Sequence, residues 1–143
     1  MTVTRRQARE WAVQMLTAAD LNPPEDVEAF MLAFWQEMGD LDEEDGGIVK
    51  LVEKYRRFAE ERVTGVLATK AALDEELVGK LENWDISRLG TVERAVLRMG
   101  LWEIKYTDVP KAVVINEAVD IVNWFSQPNS RQLVNAVLDK CSK

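Results

Sequence analysis

"VERAVLRMGLWEIKY", residues 92–106, is the stretch that decides the fold. Wound as a helix, its apolar residues surround nearly the whole circumference and leave Arg94, Arg98 and Lys105 in a narrow polar stripe. A helix that is apolar on most sides is a central, buried one. Gly90 and Thr91 open it, and "TDVPK", residues 107–111, stops it, because proline disfavours helical geometry in the residue before it.

The segments on either side supply the surrounding layers. Towards the C-terminus, "AVVINEAVDIVNWF" (112–125) turns Val114, Ile115, Ala118, Ile121, Val122 and Phe125 inward. "SQPNS" (126–130) breaks the chain, Asn129 or Ser130 supplies a cap, and "RQLVNAVLDKCSK" (131–143) forms a short final helix. Towards the N-terminus, "ALDEELVGKLENW" (72–84) reads as a short helix preceded by a longer one carrying Ile48, Leu51, Val52, Tyr55, Phe58, Ala59, Val66 and Leu67. From Thr4 onward, Ala8, Trp11, Ala12, Met15, Leu16 and Ala19 line one helical face, and Val27, Phe30, Met31, Phe34, Trp35 and Met38 line another. Between those two, Asn22 reads as the cap of the second helix, with Pro23 and Pro24 in its first turn and Glu25 and Asp26 placed against its dipole.

No segment alternates with the period of a strand. The expectation is an all-α protein of six or seven helices in two packed sub-bundles sharing one core. The charged stretch "GDLDEEDGG" (39–47) reads as a loop between the sub-bundles. The chain of 143 residues shows no repeat and no low-complexity linker, so residues 1–143 are expected to form a single domain.

Composition narrows the function. Histidine is absent and Cys141 is the single cysteine, which removes a disulfide framework, the commonest zinc ligand sets and every histidine-dependent triad. There is no glycine-rich phosphate loop, no nucleophile elbow and no readable carboxylate pair, so neither an enzyme nor a cofactor is expected. No apolar run reaches a membrane-spanning length and the first residues lead into an amphipathic stretch, which points to the cytoplasm. The formal charge is −7, and residues 20–47 alone hold ten acids and no base. Steering of a polyanion by net charge is therefore weak, and any nucleic-acid site has to be local.

One local feature fits such a site. Arg5, Arg6 and Arg9 crowd the start of the first helix within a sector of about 100°, where free N–H groups and the dipole already disfavour cations. A placement that costs helix stability in the free protein becomes favourable when a phosphate chain docks. The bland alternative is that these arginines solvate the helix start or pair with the acidic segment.

Three stretches together resemble the NusB family of bacterial transcription antitermination factors. They are "RRQARE" (5–10), "NWDISRLGTVERAVLRMGLWEI" (83–104), and "DVPKAVVINEAVDIVNWF" (108–125) followed by "SRQLVNAVLDK" (130–140). The resemblance implies a NusB-like helical RNA-binding protein that pairs with NusE, a small-subunit ribosomal protein. That pair recognises single-stranded boxA RNA in ribosomal RNA leaders and acts within the RNA polymerase antitermination complex. Arg5, Arg6, Arg9, Asn129 and Arg131 are the residues so implied for RNA contact. Glu93, matching the acid that opens the family's hydrophobic helix, is implied for NusE contact, against a plain role as a first-turn acid. Trp124 lies away from the inward side of its helix and is a further partner candidate, whereas Trp11, Trp35, Trp84 and Trp102 read as core. Both a monomer and a homodimer are compatible with the family.

The chain also departs from the family pattern. Thr17 follows Leu16 where an aromatic residue is common, and Asn129, Leu133 and Ala136 replace the usual Asp, Phe and Gly. Loss of an aromatic at position 133 removes a stacking surface worth about 1–3 kcal/mol where such stacking is measured. The alternative reading is a helical interaction adaptor of the same fold with weakened or lost RNA binding. The fold also serves as an accessory domain of ribosomal RNA methyltransferases, but residues 1–143 are expected to hold no second domain for a methyl donor.

Overall fold

The computed structural model describes residues 3–38, 46–82, 85–125 and 129–143. Among them are six α-helices: α1 (Arg5–Leu21), α2 (Val27–Met38), α3 (Gly46–Lys80), α4 (Thr91–Tyr106), α5 (Lys111–Phe125) and α6 (Ser130–Asp139). A 3₁₀ turn, Ile86–Arg88, precedes α4, and no strand occurs among the described residues. The all-α expectation holds. The expected loop at 39–47 falls mostly, and Trp84 wholly, outside the described residues. No described helix is long and apolar enough to cross a membrane.

Several sequence expectations need correction. The patterns at 48–67 and 72–84 are one continuous helix through Lys80, because Ala59, Val63, Val66, Leu73 and Leu77 keep one buried face running past the alanine-rich 68–72 stretch. Asn22 closes α1 rather than opening α2: its N–H reaches Ala18 O at 3.0 Å. The cap of α2 is Asp26, whose Oδ1 accepts from Ala29 N at 3.1 Å.

The chain divides into two compact units, residues 1–64 and 65–143, so the division lies within α3 and not at the acidic loop. In the first unit, α1 begins at Thr4, whose hydroxyl accepts from Gln7 N at 3.1 Å. Trp11 of α1 meets Trp35 of α2 edge to face, with ring centroids 5.3 Å apart. Trp35 Nε1 in turn donates to Glu60 Oε2 of α3 at 3.2 Å.

In the second unit α4 is the central helix. Ten of its residues are buried, including Leu97, Met99 and Leu101, and it packs on both α5 and α6. The polar stripe foreseen on α4 is paired: Arg98 is buried, whereas Arg94 and Lys105 are half-buried. Arg98 pairs with Asp74 of α3, Lys105 Nζ donates to Glu76 Oε1 at 2.7 Å, and Arg94 Nη1 donates to Leu89 O at 2.6 Å. Two glycines permit the close approaches that seat α4: a Cβ at Gly65 would lie 2.3 Å from the Trp102 indole, and one at Gly100 would lie 2.8 Å from Leu138 Cδ1 of α6. Lys143 Nζ donates to Thr107 O at 3.0 Å and Lys111 Nζ donates to Asp139 O, so the chain end ties down the α4–α5 turn.

Candidate nucleic-acid and partner interface

Helix formation alone sets where the N-terminal arginines begin. Arg5 and Arg6 occupy the first turn of α1, with Arg5 exposed and Arg6 half-buried. Arg9 is placed differently, being 3% exposed. Its guanidinium lies 5.1 Å from the Phe58 ring of α3, and the Arg62 guanidinium lies 3.4 Å from the same ring. Cation–π contact supports burial of such charges, and Arg62 Nη1 also donates to Phe58 O at 3.2 Å. Three arginines that look equivalent in sequence thus divide into an exposed cation, a half-buried one and a packed one.

Position 62 on α3 follows Phe58 by one helical turn, so that half of the arrangement was open to an i,i+4 reading. The Arg9–Phe58 contact spans 49 residues and leaves no local mark. Near these residues a shallow surface depression is lined by Glu53, Lys54, Arg57, Phe58 and Glu61. Arg57 there is held by Glu53 at 2.9 Å, an exposed i,i+4 pair.

The second unit brings the remaining candidates together. Glu93, in the first turn of α4, is 8% exposed and turned inward. Its Oε1 accepts a hydrogen bond of 2.6 Å from Ser130 Oγ, itself 6% exposed, in the first turn of α6. The carboxylate also lies over the helix-opening Gly90, where a Cβ would come 2.3 Å from Glu93 Oε2. Both the first-turn acid reading and an internal link are therefore realised in one side chain.

Around this link sit the exposed groups. Asn129 precedes Ser130 as the N-cap of α6 and makes no side-chain capping bond. Arg131 follows it, exposed, with Nη1 3.3 Å from Asn123 Oδ1 on α5. Trp124, next to Asn123, is 76% exposed, and Phe125, expected to turn inward, is instead 47% exposed at the last residue of α5. Glu93, Asn129 and Arg131 are brought together by the Ser130–Glu93 bond between the starts of α4 and α6, and Trp124 adjoins them only as the chain neighbour of Asn123, which Arg131 contacts. The sequence reading treated Ser130 only as a cap; its buried bond to Glu93 had no sequence signal.

Leu133 is half-buried on α6, whose anchors are Val134, Val137 and Leu138. It is neither a fully buried core residue nor an open platform. Thr17 is half-buried as well, and its Oγ1 is enclosed without a hydrogen-bond partner. No group of three or more histidine, cysteine or acidic side chains among the described residues is arranged to hold a metal ion.

The comparisons agree with this architecture. Residues 6–143 match the NusB family. The transcription antitermination protein NusB of Wolinella succinogenes is 38% identical over 136 residues, covering 95% of this chain and 92% of that protein. The solved structure of T. maritima NusB is similar with a TM-score of 0.80 at 28% identity, covering 98% of this chain and 91% of that one. A structure of the antitermination factors NusB and NusE in complex with double-stranded RNA contains a chain with a TM-score of 0.76 at 25% identity, covering 94% of this chain and 92% of that chain.

Proposed function

The chain belongs to the NusB family, and on that premise we propose that it is a transcription antitermination factor that binds boxA-type RNA of ribosomal RNA leaders together with NusE. It is a binding protein and not an enzyme, it needs no cofactor, and it works in the cytoplasm within the RNA polymerase antitermination complex. Residues 1–143 act as one functional module. The observation that carries this reading is the family match along residues 6–143, joined by the likeness to a chain solved with NusE and RNA.

The surface chemistry supports it. Arg5 and Arg6 add cations to the positive end of α1 and are suited to hold a phosphate chain. Arg9 serves the same site indirectly by fixing α1 against Phe58. Asn129 and Arg131 offer an amide and a guanidinium at the start of α6. Trp124 gives a large exposed ring for the protein partner, while the inward-turned Glu93 shapes the surface from below. With few phosphate contacts on this chain alone, boxA RNA should bind weakly, and more tightly once NusE contributes its own surface.

The test is a fluorescence titration of boxA RNA in about 100 mM salt with and without NusE. Tighter binding in the presence of NusE supports the reading. Binding of NusE with no gain in RNA affinity replaces it with the adaptor reading. Sedimentation of the chain alone distinguishes a monomer from a homodimer.

A further inference from the structure

The hydrogen bond between Ser130 and Glu93 has an uneven setting. Both side chains are more than nine-tenths buried, and the bond joins the first turns of two helices that are 37 residues apart in sequence. The apolar anchors of α6 lie further along the helix: Val134, Val137 and Leu138, with Leu138 seated over Gly100. The first turn has no side-chain cap from Asn129, whose backbone is itself α-helical at φ −73° and ψ −15°. Ser130 is the buried residue of that turn, flanked by the exposed Asn129 and Arg131.

From this we infer that Ser130 and Glu93 are positioning residues for RNA binding, holding the first turn of α6 so that Asn129 and Arg131 are ordered before RNA arrives. The inference rests on the RNA-binding reading above. Its physical content is preorganisation: a first turn that frays must be ordered on binding, and that cost is subtracted from the affinity. The acceptor is a carboxylate oxygen at 2.6 Å, a close O–H···O contact between two buried groups. The same carboxylate lies against Gly90, so the start of α4 serves as the fixed end of the strut.

The experiment compares the parent chain with Ser130→Ala, Glu93→Ala, Glu93→Gln and the double alanine variant, each with NusE and boxA RNA. Loss of one such bond should weaken RNA binding about fivefold in either single alanine variant. The double variant should lose clearly less than the sum of the two single losses, because the singles share this link. Glu93→Gln keeps an acceptor oxygen and should stay within about twofold of the parent. Hydrogen exchange should show faster exchange in the first turn of α6 of Ser130→Ala with the later turns unchanged. Ser130→Ala with a lowered melting temperature and unaltered RNA affinity overturns the inference, as does a double variant whose losses add. A parent chain that binds no boxA RNA with NusE overturns the reading and the inference together, whereas a binding parent with an indifferent Ser130→Ala overturns the inference alone.

Discussion

Arg98 of α4 grips Asp74 of α3 at two points, Nε to Oδ1 at 2.7 Å and Nη2 to Oδ2 at 3.0 Å. The guanidinium is buried and the carboxylate is about a quarter exposed. Arg98 belongs to a helix that is buried along most of its length, so the pair lets a cation occupy the central helix of its unit.

Removing that carboxylate should therefore be costly. Asp74→Ala leaves the buried Arg98 without this partner and is expected to destabilise the protein by about 2–3 kcal/mol, below the largest values because Asp74 itself reaches solvent. Urea unfolding followed by circular dichroism measures it, and a change under about 0.5 kcal/mol would class the pair with ordinary surface ion pairs.

Gly65 is required by Trp102. Gly65→Ala gains helix propensity of about 1 kcal/mol but forces its Cβ into the indole, an overpacking cost of roughly 1–3 kcal/mol. The expected result is a lower melting temperature with red-shifted tryptophan emission as Trp102 moves outward. A stabilised variant with unshifted emission would show that the indole yields without strain.

The three N-terminal arginines should separate in experiment. Arg5→Gln and Arg6→Gln are expected to weaken RNA binding and to flatten its salt dependence by up to about 0.7 in slope per lost phosphate contact on a single strand. Stability should hold or improve slightly, since each change removes a cation from the positive end of α1. Arg9→Gln is expected to cost about 1 kcal/mol of stability through lost contact with Phe58. Equal effects of all three on the salt slope, with no stability change, would mean that Arg9 swings out to the RNA.

Cys141 is buried, and that burial pushes its thiol above the ordinary range. The unfolded chain then ionises this thiol at lower pH than the folded one and binds fewer protons between the two pKa values, so its contribution to stability falls as pH rises above about 9. Cys141→Ala should flatten that decline, as measured by chemical unfolding between pH 8 and 10. In the parent, labelling by a thiol reagent at pH 8 should be slow and should speed up in denaturant; immediate labelling in native buffer would contradict the burial.

Much of this protein is written in short-range pattern. Helical periodicity marks α1, α2, α4, α5 and α6 to within a few residues, and the all-round apolar surface of 92–106 identifies the buried helix of the second unit, because a helix and its buried face are set by residues three and four apart. The exposure of Trp124 was legible for the same reason.

Tertiary structure decided the fate of the charges. Sequence cannot show that Arg9 meets a ring 49 residues away, that Arg98 meets a carboxylate 24 residues before it, or that Glu93 faces Ser130 instead of solvent. A charged side chain enters the interior only where a partner offsets its lost hydration, and that partner is supplied by whichever helix packs alongside. The continuity of α3 has a similar origin: residues 68–72 carry little apolar signal, but Val66 and Leu73 on either side of them are buried along one face, and packing carries the helix through.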